Sequence, residues 1–212
     1  MTRRIAATAI VALLSAGPAL AQPSRQITQA DVTGSIGWLN VDKSDLSNNQ
    51  GSNDWYNRSV YGGAAAGWYW TDHLKTEVEG GVSSRASLLI YGVDFVNGAA
   101  ITRYSRYSFA TTRLGVSQQY QFLRNAWVHP FIGAGLDVIW EQTDRTEETF
   151  PLQGGHGEAT FPRRTDVLTR PFVTLGLKGY FNGRGFVRTD FKLVFDNSVD
   201  EALFRFGIGV DF

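Results

Sequence analysis

The sequence predicts an all-β protein, an eight-stranded antiparallel up-and-down β-barrel that spans a membrane. The first observation is the stretch Leu203 to Phe212, L-F-R-F-G-I-G-V-D-F, in which large apolar residues alternate with small or polar ones. Because side chains along a strand point to opposite faces, one face meets an apolar medium and the other a polar one. The second observation is that this alternation recurs in earlier segments of the chain. The third is an export signal at its start.

Residues 1–21 read as a secretory signal peptide, with two arginines, an apolar run at 5–14 and the small-residue ending A-L-A at 19–21. The apolar run is too short to span a bilayer. We expect residues 22–30 to form a short periplasmic lead and residues 31–212 to form the barrel domain. Removal of the signal leaves a net charge of about −2, because two arginines and no acidic residue are lost. This charge gives no reason to expect a nucleic-acid partner.

The mature chain is predicted to contain eight strands. Their expected ranges are 31–41, 58–70, 74–95, 100–122, 127–141, 167–181, 186–196 and 203–212. The chain has no cysteine, so neither disulfides nor thiolate chemistry can contribute. An interior proline removes a ladder donor, and Pro171 therefore suggests a bulge in the sixth strand.

The connections between the predicted strands alternate in length. Short turns are expected near Asp72, Asn125 and Gly183, and longer loops around Asn48 and at the two segments described next. An even strand count with short turns on one side and long loops on the other is typical of outer-membrane barrels. The pattern places both chain ends in the periplasm.

Two hairpins are predicted to protrude beyond the membrane. Asn97-Gly98 is a strong signal for a tight hairpin, and strand-forming residues continue on both sides of it. The charged, glycine-containing segment 142–166 predicts a second protruding hairpin that turns near Gly154-Gly155.

The export signal, the eight alternating segments and the closing strand ending in Phe together resemble the small bacterial outer-membrane barrels of the OmpA/OmpX type. The resemblance covers the mature chain as architecture, but its motifs are generic to the class. It implies a monomer in the cell outer membrane of a Gram-negative bacterium, in contact with outer-membrane lipid including lipopolysaccharide and folded by the barrel-assembly machinery. In that class the last strand carries the assembly signal, which falls here on Phe204, Phe206, Ile208, Val210 and Phe212.

A soluble secreted barrel of lipocalin shape is the alternative architecture. Its core would take the apolar face, so the charged face would meet water. That arrangement leaves unexplained the aromatic residues expected at both membrane edges. These are Trp70, Phe122, Trp127, Phe181 and Phe212 at one edge and Trp140, Phe195 and Phe204 at the other.

The opposite face of the predicted strands carries long side chains of both signs. We expect these residues to fill the lumen as one network of ion pairs, with Gln119, Gln121 and Tyr180 between them, because eight strands leave room only for side chains. The predicted network comprises Lys75, Glu77, Glu79, Arg113, Asp137, Lys178, Arg188, Asp190, Lys192, Arg205 and Asp211.

The sequence offers no catalytic, cofactor-binding or metal site. His73 and His129 fall at the periplasmic edge, and glycines flank His156 in G-G-H-G-E, which opposes the rigid placement that general-base catalysis needs. His156 with Glu158 would supply too few ligands for zinc. We therefore expect a non-enzymatic structural or surface role, such as adhesion, with no cofactor. An outer-leaflet lipid-modifying enzyme of the lipid A deacylase kind and a small low-conductance channel are the alternatives.

The long loops are the remaining candidates for an interaction surface, with a partner that the sequence does not identify. They carry aromatic and apolar residues, which either pack the hairpins or form an adhesive surface. Four arginines could pair with lipopolysaccharide phosphates: Arg103, Arg106, Arg163 and Arg164.

The last expectation from sequence concerns the register of the sixth and seventh strands. A three-residue loop Gly183-Arg184-Gly185 would place Lys178 opposite Asp190 and Tyr180 opposite Arg188. Pairing Lys178 with Arg188 would instead place like charges opposite each other.

Overall fold

A computed structural model describes residues 29–42, 57–96, 99–123, 127–151 and 154–212. The predicted signal peptide, nearly all of the lead and the first long loop lie outside the described residues. So do Asn97, Gly98 and Asn125 at predicted turns. None of the described residues belongs to a helix long and apolar enough to cross a membrane.

The described chain consists of β-strands joined by turns. The strands are β1 (Ala30–Val41), β2 (Asn57–Tyr69), β3 (Leu74–Ser83), β4 (Ala86–Val96), β5 (Ala99–Gln121), β6 (Val128–Pro151), β7 (Gly157–Thr160), β8 (Arg164–Tyr180), β9 (Gly185–Phe195) and β10 (Val199–Asp211).

Eight of these strands close into a ring in the order β1-β2-β3-β5-β6-β8-β9-β10, and every neighbour is antiparallel. The ring closes where β1 pairs with β10, from Asp31 opposite Asp211 to Val41 opposite Glu201. Closure satisfies the backbone groups of both edge strands, which an apolar environment requires. The predicted eight-stranded up-and-down barrel is thereby confirmed.

Beyond the ring, four strand segments continue as a protruding sheet. It consists of β4, residues 99–111 of β5, residues 141–151 of β6, and β7. β4 continues β3 after a break at Ser84 and pairs with β5 as far as Val96 opposite Ala99. β7 returns along β6 from Gly157 opposite Thr149. Both protruding hairpins lie where the sequence predicts them.

The protruding sheet defines the loop end of the barrel, and residues 29–31 and 211–212 define the opposite, terminal end. Between these ends the two faces of the wall differ sharply in character. On the outer face Ile36 is 66% and Leu175 is 62% exposed, whereas on the inner face Lys75 is 1% and Glu77 is 0% exposed. Charges inside and apolar side chains outside exclude the soluble alternative and fit a barrel surrounded by lipid.

The register of β8 against β9 corrects the expectation from sequence. Lys178 lies opposite Arg188, not Asp190, and Tyr180 lies opposite Phe186, not Arg188. The hairpin therefore turns about Gly183, one residue earlier than expected. The Asn182 side chain explains the shift, because its Oδ1 accepts hydrogen bonds from the backbone N–H groups of Arg184 (2.9 Å) and Gly185 (2.5 Å).

Pro171 also departs from the expectation, because the strand shows no bulge there. β8 pairs with β6 in unbroken register through Leu136 opposite Pro171. The ladder between β8 and β9 begins one residue later, at Phe172 opposite Val194. Proline is tolerated at this position because Pro171 pairs with β6 but lies outside the ladder between β8 and β9. A backbone donor is therefore not needed on both edges of the strand.

The observed register predicts which engineered cysteines will cross-link. Leu177→Cys with Thr189→Cys places two thiols directly opposite each other, whereas Leu177→Cys with Phe191→Cys places them diagonally, at a larger Cβ separation. Mild oxidation of the folded protein should cross-link the first pair more completely. Gel mobility with and without reductant measures the yield, and a higher yield for the second pair would contradict this register.

Candidate functional site

The lumen holds a row of buried charges, and its part nearest the terminal end contains two lysines. Lys178 Nζ lies 2.8 Å from Asp31 Oδ2 and 2.7 Å from Asp211 Oδ1. It also donates a hydrogen bond to the Tyr69 hydroxyl at 2.8 Å. Lys75 Nζ lies 3.0 Å from Asp31 Oδ2. Both lysines therefore share one carboxylate.

The middle of the lumen continues the row with two arginines. Lys75 Nζ lies 2.5 Å from Glu77 Oε2, and Arg188 Nη1 lies 2.6 Å from the same oxygen. Arg188 Nε also donates to Asp190 Oδ2 at 2.8 Å, and Arg205 Nε donates to Asp190 Oδ1 at 2.7 Å. Each of these carboxylates thus lies between two cations.

The row then extends towards the loop end through Glu79. This carboxylate accepts from Arg205 Nη1 at 2.7 Å and from Lys192 Nζ. Lys192 Nζ lies 2.7 Å from Asp137 Oδ2. Arg113 Nη1 lies 3.6 Å from Asp137, which links the last arginine to the row.

Glu201 ends the row, with its Oε2 2.7 Å from Arg113 Nη2. Because every link joins opposite charges, the result is one alternating chain of ion pairs. From the terminal end to the loop end its members are Asp211, Lys178, Asp31, Lys75, Glu77, Arg188, Asp190, Arg205, Glu79, Lys192, Asp137, Arg113 and Glu201.

All eleven residues of the predicted lumenal network lie in this chain, together with Asp31 and Glu201, which the sequence reasoning missed. Asp31 lies on the same alternating positions as Thr33 and Ser35, so its face was available from the sequence. Glu201 shares its face with Leu203 but was expected in the loop before the last strand. β10 instead begins at Val199.

The uncharged polar residues expected between the charges also lie in the lumen. Gln119 Nε2 donates to Glu77 at 2.8 Å, Gln121 Nε2 donates to Tyr69 at 3.0 Å, and the Tyr180 hydroxyl donates to Asp211 at 2.6 Å.

Two apolar clusters close the lumen near the loop end, and the sequence reasoning did not anticipate them. One contains Leu39, Val41, Tyr61 and Leu203. The other contains Ile139, Phe172 and Val194, with Leu168 packed against it. Side chains of this size leave little room for a continuous water path.

Four of the predicted assembly-signal residues lie on the outer face of β10, and the fifth, Phe212, directly follows the strand. Their exposed fractions run from 41% for Phe204 to 63% for Phe212. Phe204 stacks against Trp38 of the neighbouring strand, with 6.1 Å between ring centroids. This places an aromatic pair on the lipid-facing wall towards the loop end.

The three histidines do not assemble a catalytic group among the described residues. His73 Nδ1 lies 2.8 Å from the Gln121 carbonyl oxygen at the terminal end, and His129 packs edge-on against Tyr180. His156 lies at the other end of the molecule, 4.9 Å from the Phe150 ring. Within the described ranges, no three His, Asp or Glu side chains are placed to hold a metal ion.

Three of the four arginines proposed for lipopolysaccharide have carboxylate partners within the chain. Arg103 lies 2.5 Å from Asp94, Arg163 lies 2.8 Å from Asp144, and Arg164 lies 2.8 Å from Asp166. The hydrogen bond from Arg163 lowers the pKa of the Asp144 carboxyl, and Arg85 binds the same group. Arg106, the fourth, has no carboxylate within ion-pair distance among the described residues.

Arg106 lies instead in a shallow groove on the outer face of the protruding sheet. The groove crosses β4, β5 and β6 and has a volume of about 440 Å³. Its lining residues are Leu89, Thr102, Tyr104, Arg106, Thr146, Glu148 and Phe150.

Comparison with known proteins gives similarity in structure only. No protein-family model and no curated protein sequence matches the chain. OprG, an outer membrane protein of Pseudomonas aeruginosa, has a TM-score of 0.53 at 11% identity over 90% of this chain and 99% of its own. Neisserial surface protein A has a TM-score of 0.51 at 14% identity over 86% and 97%. The N-terminal barrel domain of P. aeruginosa OprF has a TM-score of 0.50 at 15% identity over 88% and 100%. The chain therefore has the fold of the small outer-membrane β-barrels.

Glu79 is the residue that tests the stability of the lumenal row, because it binds both Arg205 and Lys192. Glu79→Gln leaves two buried cations without their shared carboxylate, and we expect it to lower the free energy of unfolding by about 3 kcal/mol. Urea unfolding in detergent micelles, followed by tryptophan fluorescence, measures the change. The exposed Glu158→Gln is the control and should stay within about 0.5 kcal/mol of the parent. Equal stability of both variants would contradict a stabilising row.

The filled lumen also predicts the electrical behaviour of the refolded protein. We expect planar-bilayer recordings to show silence or rare small openings, because buried ion pairs and two apolar clusters occupy the bore. Tyr61→Ala removes the largest side chain of one cluster and should increase the frequency of openings. Large, steady conductance of the parent protein would contradict a closed lumen and favour the channel alternative.

Proposed function

We propose that this protein is a non-enzymatic barrel of the bacterial outer membrane whose protruding sheet binds a partner outside the cell. The barrel carries this sheet at one end and short turns at the other. In the proposed orientation both chain ends lie in the periplasm, and the barrel-assembly machinery recognises Phe204 to Phe212 during insertion. The similarity of fold to an outer membrane protein and to a surface protein supports this placement.

The observation that carries the proposed surface role is an apolar strip on β4. Leu89, Tyr91, Val93 and Phe95 share one face of this strand and are 55%, 67%, 57% and 75% exposed. Their exposure argues against the simpler interpretation that they only pack the hairpins. An apolar strip that stands clear of the membrane is typical of an interaction surface.

The backbone of β4 supports a polypeptide partner. Within the described part of the chain β4 pairs with β5 on one side and with no strand along most of the other. Its sequence A-S-L-L-I-Y-G-V-D-F-V contains neither lysine nor proline, the residues that often protect an edge strand from pairing. An added strand would satisfy the free backbone groups while its side chains cover the strip.

Replacing the two aromatic side chains of the strip tests this role. We expect Tyr91→Ser with Phe95→Ser to reduce retention of expressing cells on an immobilised unfolded polypeptide by about tenfold, because two central aromatic contacts are lost. Counting retained cells after washing measures the effect. The control Glu158→Ser changes a polar residue of the same sheet and should leave retention unchanged.

Surface display must be equal in all strains for this comparison. Thr160→Cys provides the check, because the chain has no native cysteine and a membrane-impermeant maleimide should label it on intact cells. Asn182→Cys at the opposite end should stay unlabelled until the cells are opened. Equal retention of the parent and the double variant, with equal display, would refute the proposed role of the strip.

A further inference from the structure

The groove around Arg106 combines a cation that has no carboxylate partner among the described residues with an aromatic wall. β5 places Tyr104 and Arg106 on one face, with Leu89 opposite Arg106 on β4. On β6, Glu148 lies opposite Tyr104 and Thr146 opposite Arg106. The register alone therefore brings these side chains to one side of the sheet.

Arg106 is available for an anion. Other described arginines in and beside the protruding sheet bind carboxylates of this chain: Arg85 and Arg163 bind Asp144, Arg103 binds Asp94, and Arg145 binds Glu147. No described carboxylate lies within ion-pair distance of Arg106. A guanidinium that is free in this way binds phosphate through charge-assisted, often bidentate, hydrogen bonds.

The aromatic wall lies beside this cation. Tyr104 and Phe150 meet edge to face with their ring centroids 5.7 Å apart. Thr102 and Thr146 add hydroxyl groups along the same face. A surface of this kind, with apolar ring faces and small polar groups, suits the alternating apolar and hydroxyl faces of a sugar.

The groove is continuous with the lipid-facing wall of the barrel. The alternation that points Leu114 and Val116 towards lipid runs without a break along β5 to Arg106 and Tyr104. A lipid standing against this wall would therefore reach the groove directly, on the same face of the same strand.

The distance of Arg106 from the outer membrane edge indicates which kind of lipid can reach it. It lies six residues beyond Thr112, which is opposite Trp140 of the expected outer aromatic edge. A strand tilted by about 40° and rising about 3.3 Å per residue places Arg106 roughly 15 Å above that edge. Ordinary headgroups extend only about 5 to 8 Å beyond the hydrocarbon layer. A lipid that carries several sugars reaches this height, whereas a phospholipid does not.

We propose that the groove binds a phosphorylated sugar of an outer-leaflet glycolipid, with the phosphate on Arg106 and the sugar against Tyr104 and Phe150. Glu148 faces the same groove, and Glu158 lies directly opposite it on β7. These carboxylates accept hydrogen bonds from sugar hydroxyls and repel a phosphate. The phosphate therefore lies on the Leu89 side of the groove, away from β7.

The test uses the mature full-length chain refolded in phospholipid nanodiscs, with core-type lipopolysaccharide as the probe. Arg106→Gln should weaken binding about tenfold, since it removes one charge-assisted contact. The matched control is Arg103→Gln, whose guanidinium is already paired with Asp94, and it should change affinity less than twofold. Chemical removal of the phosphates should abolish the difference between the parent and Arg106→Gln.

Three results would overturn the proposal. They are equal affinity of the parent and Arg106→Gln, an equal loss in Arg103→Gln, and complete competition by inorganic phosphate at the concentration of the probe. The last would show an anion site without sugar recognition. The proposal rests on the proposed outward orientation. Leu89 belongs both to the groove and to the β4 strip, but the nanodisc assay varies Arg106 and leaves the strip intact. A negative result for glycolipid binding therefore leaves the retention experiment unaffected, and a negative retention experiment leaves the glycolipid proposal unaffected.

Discussion

The structure depends on keeping a row of charges inside a narrow barrel and away from lipid. An arginine or lysine on the lipid face costs about 2 to 4 kcal/mol at the middle of the bilayer, and an aspartate or glutamate costs less. A slip of one residue in any strand exchanges its two faces. For β3 such a slip would turn Lys75, Glu77 and Glu79 into the membrane together. The ion pairs themselves contribute only modestly relative to apolar packing of equal volume. Their larger effect is to make the wrong register unfavourable.

The alternation of side chains explains why so much of the molecule could be predicted from sequence. It gave the face of each strand and therefore the buried position of all eleven predicted lumenal charges. The same rule applies to Asp31, which lies within the first predicted strand, but the predicted network did not include it. Glu201 was not predicted as a lumenal residue for a different reason. The irregular pairing between Val199 and Glu201 hides the start of β10 from a count of alternating residues.

The glycines of the wall show what alternation alone cannot reveal. Small residues within a strand, such as those from Gly62 to Gly67, can ease the curvature of a small barrel. In the structure, a Cβ on Gly63 would lie 2.5 Å from the Tyr61 hydroxyl, and one on Gly67 would lie 2.5 Å from Asp31 Oδ1. These positions are therefore small because large lumenal side chains occupy the adjacent space. Whether an inward residue is small to bend the wall or to make room depends on its neighbours across the bore, which the sequence does not specify.

The wrong register expected for the hairpin between β8 and β9 also reflects contacts across the bore. The expected three-residue loop placed Lys178 opposite Asp190, which agrees with the rule that opposite charges on directly paired residues stabilise an open sheet. Inside a narrow closed barrel a long side chain also reaches strands that are not its neighbours. Lys178 binds Asp31 and Asp211, while Arg188 binds Glu77, so their position opposite each other carries little cost.

Ion pairs between strands that are not neighbours also link the lumenal charges to closure of the ring. Glu77 meets Arg188, and Glu79 meets Lys192 and Arg205, across more than a hundred residues of sequence. These pairs can form only when the last two strands have come round to face β3. The lumenal charges therefore favour the closed ring over any open sheet of the same strands, in which the same carboxylates and cations would be left without partners.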